Sequence, residues 1–247
     1  MFKPCVVIPV YNHQHAIDAV VRGVLAQNLS CILVDDGSSS GCARILDALV
    51  ADAPTHIALL RHPVNRGKGS AVLTGVRYAV QAGFTHALQI DADGQHQVSD
   101  IPRFLEQAAA HPQALIVGCA EYGATVSWVR FYARYLNHVW VWINTLSLQI
   151  KDSMCGFRVY PLPPIIALEQ RHKLGARMNF DIEVLVRLYW DGLEIINVPT
   201  PVSYPSDGVS HFRLVLDNFL ISRLHTILFF GMLLRLSTSI ARHWRSR

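Results

Sequence analysis

Short apolar runs alternate with amphipathic segments along the first half of the chain. The runs predict buried strands at Cys5–Val10, Cys31–Val34, Ile57–Leu60, Ala87–Ile90 and Leu115–Gly118. Between them, apolar residues at helical spacing predict helices over 16–27, 44–51, 66–81 and 98–110. Strands alternating with helices of this length are typical of an α/β fold, with a parallel, doubly wound sheet and right-handed crossovers.

The second half contains a long aromatic-rich helical pattern over 126–148. Arg130, Arg134 and His138 recur at every fourth position, which places them on one stripe of the predicted helix. Arginines beside aromatic rings suit a helix at a membrane interface, where they meet lipid phosphates. The alternative is a core helix with a solvated edge.

A second apolar helix is predicted over 212–235. Its uninterrupted part, between Arg223 and Arg235, contains His225 and is shorter than the ~20 residues that a membrane span requires. We therefore predict a peripheral helix in the plane of the membrane, followed by the basic residues Arg242, Arg245 and Arg247. A helix that forms a homodimer is the alternative. The expected organisation is a domain over 1–211 and an interfacial or oligomerising helical tail over 212–247.

Polar clusters follow three of the predicted strands. Asp91 and Asp93 end the fourth strand, and because ligands of open α/β sheets bind at the carboxyl ends of strands, we expect this pair to meet a ligand. Adjacent carboxylates repel each other, and a hard divalent cation that also accepts phosphate oxygens relieves the repulsion. The alternative is a turn that caps the next helix.

The other two clusters are suited to a nucleotide. Asp35 and Asp36 can accept hydrogen bonds from a base or a ribose, although a plain turn is as good an interpretation. Arg66, Lys68 and the amides of the glycine-rich turn at a helix start can bind phosphates, or form only a flexible loop. The segment lacks the Walker pattern, and no G-x-G-x-x-G follows the first strand.

Composition narrows the partners and the compartment. The net charge of +4 is mild, and the basic residues concentrate towards the C-terminus, so we expect no nucleic-acid partner. Five cysteines without C-x-x-C spacing predict free thiols in a reducing compartment. The first strand begins close to Met1, which leaves no room for a signal peptide in this sequence.

Several motifs together resemble the family 2 inverting glycosyltransferases, and within them the dolichyl- or polyprenyl-phosphate sugar transferase branch. The matching segments are Val7–Asn12, Leu33–Ser38, Asn65–Gly69, Asp91–His96, Asp152–Arg158 and Phe180–Glu183. The resemblance extends over about residues 4 to 212. It implies a GT-A fold, which is Rossmann-like, with a mostly parallel sheet and helices on both faces; the C-terminal amphipathic helices are predicted from the hydrophobic pattern. It also implies a UDP- or GDP-linked sugar donor and Mg²⁺ or Mn²⁺.

Carried over position by position, the resemblance assigns roles to individual residues. Those at the metal and diphosphate positions are Asp91, Asp93 and Gln95, and those in the nucleotide pocket are Pro9, Tyr11, Asp36 and Lys68. Three positions depart from the branch. An acid usually follows Tyr-Asn, where this chain has His13, and the branch's R-x-x-G-x-S-K is here 205–211, with Pro205 for the arginine and His211 for the lysine. We still expect Ser210 and His211 to contact the donor, because histidine can donate a hydrogen bond.

The predicted function is inverting, metal-dependent sugar transfer to a lipid-linked or membrane-proximal acceptor, by a peripheral protein on the cytoplasmic face of a membrane. A phosphate acceptor is already anionic and needs positioning, for which Arg130 and Arg134 are candidates. A hydroxyl acceptor needs a base, for which Asp152 is the candidate, although Asp152 is equally suited to capping its own loop. The alternatives are a non-catalytic nucleotide-sugar or lipid-binding protein and a nucleotidyltransferase of related architecture.

Overall fold

A computed structural model of the protein describes residues 1–122, 128–203 and 211–245, without the side chains of 122–133 and 237–245. In these residues the strands are Pro4–Val10 (β1), Cys31–Asp35 (β2), Ile57–Arg61 (β3), His86–Gln89 (β4), Leu115–Tyr122 (β5), Arg158–Pro161 (β6) and Ile195–Val202 (β7). The α-helices are Ile17–Leu25 (α1), Ser40–Asp52 (α2), Lys68–Gln81 (α3), Ile101–Ala110 (α4), Trp128–Thr145 (α5), Leu162–Arg171 (α6), Phe180–Trp190 (α7) and Leu214–Arg245 (α8).

The described strands form one sheet in the order β3-β2-β1-β4-β6-β5-β7. Strands β1 to β4 run parallel to one another, and β5 runs parallel to β7. Between these two blocks lies β6, which pairs antiparallel with both β4 and β5. The predicted mostly parallel α/β sheet is confirmed, and the reversed strand β6 is an addition that the hydrophobic pattern does not indicate.

Helices cover both faces of the sheet because alternate residues of each strand point to opposite sides. From β1, Val6, Ile8 and Val10 join the core beneath α1, α2 and α4. Cys5 and Val7 of the same strand join the core beneath α3, α6 and α7. The sheet is therefore buried on both sides, and ligands reach it at the ends of its strands.

Helix α8 packs along α5 through a mixed apolar and polar contact. His225 of α8 is buried, and its two ring nitrogens lie 3.2 Å from Asn144 Nδ2 and 3.1 Å from Asn137 Oδ1 of α5. The predicted division at residue 212 stays a prediction, because α8 begins at Leu214 but also packs on the rest of the chain.

The apolar stretch of α8 is longer than the part between Arg223 and Arg235 that the sequence analysis predicts. Residues Leu214–Leu236 form a 23-residue stretch with mean hydropathy 1.6, long and apolar enough for a membrane span, and 28% of the tested window is buried. The apolar stretch begins at Leu214 and ends at Leu236, because Asp217, Arg223 and Arg235 are too few and too widely spaced to interrupt it. The basic tail residues Arg242 and Arg245 have side chains outside the description, and Arg247 lies beyond it.

Candidate functional site

The polar clusters predicted at the strand ends do lie together. Strands β1, β2 and β4 are parallel, with β1 between the other two, so their carboxyl ends lie on the same edge of the sheet. Pro9 is buried within β1 and pairs with Val34, and Tyr11 follows at the strand end. Asn12 then adopts a positive φ of 56°, a conformation that asparagine tolerates better than most residues. This turn brings the chain back beside the loop after β2.

Asn12 joins the loops that follow β1 and β2. Its backbone amide donates to Ser38 Oγ at 3.1 Å, and the amide of Ser39 donates to Asn12 Oδ1 at 2.7 Å. Asp35 stabilises the second loop from below, since its carboxylate accepts from the amide of Ser38 at 2.9 Å and from Arg61 Nε at 3.2 Å. Asp35 is buried and contributes directly to the shape of the loop.

Asp36 holds the loop between β3 and α3. Its carboxylate accepts from the amide of Arg66 at 2.9 Å and from the amide of Gly67 at 2.7 Å, and it lies 2.7 Å from His62 Nδ1. The side chain is buried. The predicted contact of Asp36 with a nucleotide stays a prediction, and within the chain its role is to fix the turn that precedes Lys68.

Lys68 lies between two carboxylates. Its Nζ is 2.8 and 2.9 Å from the two carboxylate oxygens of Asp91 and 2.9 Å from Asp181 Oδ2. Burial alone would lower the pKa of Lys68, but Asp181 and Asp91 raise it above its ordinary value. Burial would raise the pKa of Asp91, whereas Lys68 lowers it, so both groups are charged. Lys68 thus fixes the orientation of Asp91 at the strand end.

The charged group continues into the protein interior. Gln89 Nε2 donates to Asp181 Oδ1 at 3.2 Å, and Tyr160 Oη donates to Gln89 Oε1 at 3.1 Å. Arg158, fully buried, donates to the backbone carbonyls of Asp181, Ser153 and Cys155 at 2.5, 3.0 and 2.8 Å. Buried polar groups that are all bonded hold one arrangement of their neighbours.

The segment Asp152–Arg158 closes this side of the site. A Cβ atom on Gly156 would lie 2.4 Å from Asp91 Oδ2 and 2.6 Å from Lys68 Nζ, so only glycine leaves room for that ion pair. Phe157, the next residue, stacks on Phe104 of α4 with ring centroids 4.1 Å apart. The glycine, the aromatic residue and the arginine of the motif therefore each have a separate packing role.

Asp152 caps its own loop and also contacts β5 and α5. Its Oδ1 accepts from the amides of Met154 and Cys155 at 2.8 and 3.0 Å, and its Oδ2 accepts from the amide of Ala120 at 3.2 Å. Arg134 Nη2 lies 3.3 Å from Oδ2, and His138 Nε2 lies 3.8 Å from Oδ1. The structure thus brings together two of the predicted catalytic residues, Asp152 and Arg134. The side chain of Arg130 is not among those that the structure describes.

These partners determine the charge of Asp152. Burial would raise the pKa of the carboxyl, but Arg134, His138 and the loop amides lower it below its ordinary value. Asp152 is therefore an ionised, fully engaged carboxylate that connects α5, β5 and its own loop.

Asp93 and Gln95 lie next to Asp91 at the end of β4. Asp93 Oδ1 accepts from the amide of Gln95 at 3.0 Å, and burial together with Asp91 raises the pKa of Asp93. His96 Nδ1 is buried without a hydrogen-bond partner among the described residues, and the ring interacts electrostatically with Asp91 and Asp93. Across the part of the chain that the structure describes, no three His, Cys, Asp or Glu side chains form a preassembled metal site.

The oxygen ligands at the end of β4 nevertheless suit Mg²⁺ or Mn²⁺. The carboxylates of Asp91 and Asp93 and the amide of Gln95 are oxygen ligands of the type that these cations prefer. Burial first and the neighbouring Asp91 carboxylate second raise the pKa of Asp93, and a bound cation would remove the repulsion between the two carboxylates. These three residues would hold the metal, with Asp91 already oriented by Lys68.

Two of the three departures from the motif pattern, His13 and His211, lie in contact at the end of β1. The ring of His211 packs edge-on against Tyr11 and against His13, each with centroids 4.9 Å apart. Its Nε2 is buried and has no hydrogen-bond partner in the described part of the chain. His211 thus lies at the predicted donor site, while Ser210 and Pro205 lie outside the described residues.

Several residues of the site have no assigned role from sequence. They are His62, which contacts Asp36; His96, beside the carboxylate pair; Gln89 and Tyr160, in the interior; and Arg158, beneath Asp181. A buried arginine in a strand gives no hydrophobic signal, and His62 follows an ordinary strand end. Only the presence of Arg158 within a family motif could have indicated its importance.

Comparisons with known proteins agree with this architecture. The family model described as "Glycosyl transferase family 2" matches residues 5–158, more than half of the chain. Polyprenol monophosphomannose synthase of Mycolicibacterium smegmatis is 25% identical over 221 residues, which cover 84% of this chain and 80% of the relative.

Two solved structures share the fold. Glucosyl-3-phosphoglycerate synthase from Mycobacterium tuberculosis, solved with Mn²⁺, UDP and phosphoglyceric acid, has a TM-score of 0.68 at 14% identity, covering 94% of this chain and 78% of its own. The mannosyltransferase PcManGT from Pyrobaculum calidifontis, solved with GDP-mannose and Mn²⁺, has a TM-score of 0.59 at 15% identity, covering 94% of this chain and 64% of its own. The chain belongs to glycosyl transferase family 2, and it is a glycosyltransferase with a GT-A fold.

Proposed function

We propose that this enzyme transfers a sugar, with inversion, from a UDP- or GDP-linked donor to the phosphate of a polyprenyl-phosphate-like lipid, at the cytoplasmic face of a membrane. The state of Asp152 is the observation that supports this acceptor best. The name of the M. smegmatis relative, a polyprenol monophosphomannose synthase, supports it as well.

A hydroxyl acceptor needs a base, and Asp152 is poorly suited to act as one. A base must be free to take the proton and must have a pKa near the working pH. Asp152 already accepts from the amides of Ala120, Met154 and Cys155 and pairs with Arg134, and its pKa is lowered. A phosphate acceptor, in contrast, is anionic before it reacts and requires only a cationic group to position it.

Arg134 is suited to that positioning role. Asp152 holds one edge of its guanidinium, and the side chain keeps part of its surface exposed. A planar guanidinium binds phosphate oxygens in pairs, which fixes both distance and direction. Arg130, one helical turn earlier on α5, is the second candidate for the same anion.

On the donor side, Asp91, Asp93 and Gln95 would hold Mg²⁺ or Mn²⁺. When bound, this cation neutralises the charge that develops on the departing nucleoside diphosphate. Lys68 keeps Asp91 ionised and oriented, and Tyr11 and Pro9 lie at the end of β1. His211 offers the donor a ring nitrogen, Nε2, that has no hydrogen-bond partner among the described residues. That the two GT-A structures described above were solved with Mn²⁺ supports the metal.

The membrane side of the proposal is based on α5 and α8. Large apolar side chains of α8 face outward, with exposed fractions of 73% at Leu214, 84% at Val215, 63% at Phe219 and 59% at Phe230. Tyr135, Leu136, Trp140 and Ile143 of α5 are also exposed. An apolar surface of this extent is typical of a membrane or protein contact, and aromatic residues favour the bilayer interface.

Sugar transfer to the lipid phosphate tests the chemistry. The wild type is assayed with UDP- and GDP-sugars, Mn²⁺ or Mg²⁺, and either a polyprenyl phosphate or the corresponding polyprenol. We expect turnover with the polyprenyl phosphate and none with the polyprenol. We also expect Asp93→Asn to lose metal-dependent turnover while it retains the fold. Equal rates with the polyprenol would refute the phosphate acceptor, and wild-type rates in Asp93→Asn would refute the metal site.

Vesicle sedimentation tests the membrane contact. Because Phe219 and Phe230 are exposed, Phe219→Glu together with Phe230→Glu should weaken binding to vesicles at least tenfold without unfolding the protein. Val80→Glu is the matched control, since Val80 is an exposed apolar residue on α3. Unchanged sedimentation of the double variant would reject the interfacial surface.

A further inference from the structure

A basic cavity lies away from the carboxylate pair, between α3 and the segment that follows α6. Its volume is about 530 Å³. One wall is formed by Arg66 and by Ser70, Thr74 and Arg77 of α3, which recur at helical spacing and so share a face. The other wall includes residues 169–174 and 176. We name this feature the α3–α6 cavity.

The side chains that line the cavity carry more positive than negative charge. Four permanent cations line the cavity, namely Arg66, Arg77, Arg171 and Lys173, and Glu169 is the one acid among the lining residues. Glu169 pairs with Arg77, and Arg171 pairs with Asp191 at 2.5 Å. The side chains of Arg66 and Lys173 have no ion pair among the described residues. A concave site with an excess of one charge concentrates the opposite ion.

We propose that the α3–α6 cavity binds a phosphate-type anion, carried either by a lipid headgroup or by a small soluble phosphate compound. Arginine and lysine side chains provide charged N–H groups that donate hydrogen bonds to phosphate oxygens, and the hydroxyl of Ser70 on α3 adds a neutral donor. Its volume accommodates a phosphate with a small organic substituent.

The lining is connected to the donor site through buried contacts. Thr74 Oγ lies 3.0 Å from His62 Nε2, and the other nitrogen of this ring lies 2.7 Å from Asp36. Asp36 in turn accepts from the amides of Arg66 and Gly67, directly before Lys68. An anion in the cavity therefore binds the same loop that positions the ammonium between Asp91 and Asp181.

The cavity also adjoins the surface that we propose faces the membrane. Ala176 lines it, and the next residue, Arg177, pairs with Asp217 in the first turn of α8 at 2.9 Å. The outward-facing Leu214 and Val215 belong to the same turn. A phosphate headgroup is therefore one of the two sources to test, and that part of the inference depends on the proposed membrane contact.

Direct binding separates this site from the donor site. The full chain is saturated with UDP and Mn²⁺, or with GDP and Mn²⁺, and inorganic phosphate is then titrated by calorimetry. We expect saturable binding that weakens at least tenfold in Lys173→Gln and in Arg77→Gln. Arg44→Gln, which removes an exposed arginine of α2, is the matched control and should bind as the wild type does.

A vesicle experiment identifies the source of the anion. Sedimentation with phosphatidylcholine vesicles is compared with and without phosphatidic acid, whose headgroup is a phosphomonoester. A phosphatidic-acid preference that Lys173→Gln removes supports the site with a lipid ligand, whereas phosphate binding without that preference supports it with a soluble one. If neither Lys173→Gln nor Arg77→Gln changes phosphate binding or the vesicle preference, the site is refuted. Sugar transfer is measured separately, so failure of this site is distinguishable from failure of the proposed reaction.

Discussion

Replacing Lys68 with methionine tests whether its ammonium holds the carboxylates of the site together. Methionine has similar length and no charge, so the substitution removes the ion pairs and changes the packing little. Asp91 and Asp181 then lose a cation that lies 2.8 and 2.9 Å from their oxygens. Asp181 stays buried, and the side chain of Asp91, 24% exposed, stays partly buried.

The size of the effect follows from how the variant can relieve this charge. Removing one partner of a buried ion pair costs about 3–5 kcal/mol. The loss has an upper limit, because one carboxyl can take up a proton instead. Raising its pKa from the ordinary 3.8 to a neutral pH costs about 4 kcal/mol, at 1.36 kcal/mol for each pH unit. We therefore expect Lys68→Met to lower the free energy of unfolding by about 4 kcal/mol near pH 7.

The same reasoning predicts a pH dependence with a definite sign. In the variant, the folded state binds a proton that the unfolded state releases above its ordinary pKa of 3.8. Stability of the variant relative to wild type therefore rises as the pH falls, by about 1.4 kcal/mol per unit, and the difference shrinks to about 2 kcal/mol near pH 5.5. In the wild type the ammonium replaces this proton.

Urea unfolding of both proteins at several pH values measures these quantities. Lys151→Met, which replaces an exposed lysine, is the control and should change stability by less than about 0.5 kcal/mol. Adding Asp181→Asn to Lys68→Met removes one of the two stranded charges and should recover part of the loss. A loss below about 1 kcal/mol, or a difference from wild type that does not vary with pH, would refute the role of Lys68 as the buried counter-charge.

Two further predictions concern a crowded glycine and a buried histidine. Gly69→Ala should destabilise the protein by about 2 kcal/mol, because its Cβ would lie 2.4 Å from the carbonyl oxygen of Gly175 and 2.5 Å from Phe180 Cβ. Gly41→Ala is the control and should not destabilise the protein, because the nearest atom to its Cβ would be 3.4 Å away. Equal urea midpoints for the two variants would contradict the crowding at Gly69. Burial lowers the pKa of His225 to about 4, so protonation favours the unfolded state, and stability should fall by about 1.4 kcal/mol between neutral pH and about pH 5.5. His225→Asn should lack this part of the pH dependence, and an unchanged profile would contradict the assignment.

The hydrophobic pattern predicts the strands and helices of the first half, together with α5 and α8, but it gives no prediction for β6, β7, α6 or α7. Runs such as Cys5–Val10 and Ala87–Ile90 are apolar throughout, as strands covered on both faces must be, and they match β1 and β4 closely. Strand β6 consists of four residues that begin with Arg158 and end with Pro161, so neither alternation nor a continuous apolar run marks it. Its antiparallel direction depends on pairing with β4 and β5, which no local signal encodes.

The position of the site can be predicted from the sequence, whereas most contacts of its individual side chains cannot. Acids at the ends of neighbouring parallel strands must converge, so the positions of Asp36 and Asp91 follow from the strand assignments. Their partners do not, because Lys68 meets Asp181 across 113 residues of chain, and His62 meets Asp36 only once β3 lies beside β2. Such contacts depend on tertiary packing and leave no periodic signal in the sequence.

Two of the three departures from the family pattern lie in contact. His13 stands where the branch has an acid and His211 where it has a lysine, and their rings pack 4.9 Å apart. Burial lowers the pKa of both imidazoles, although Asp91 partly opposes this at His13, so the pair is neutral near neutral pH. An acid and a lysine also sum to zero charge, whereas exchanging only one of them would place a single charge in a half-buried contact beside Tyr11. At these two positions a pair of neutral aromatic rings therefore replaces two groups of opposite charge, while Pro205 removes a further cation. We infer that restoring lysine at position 211 requires restoring the acid at position 13 as well.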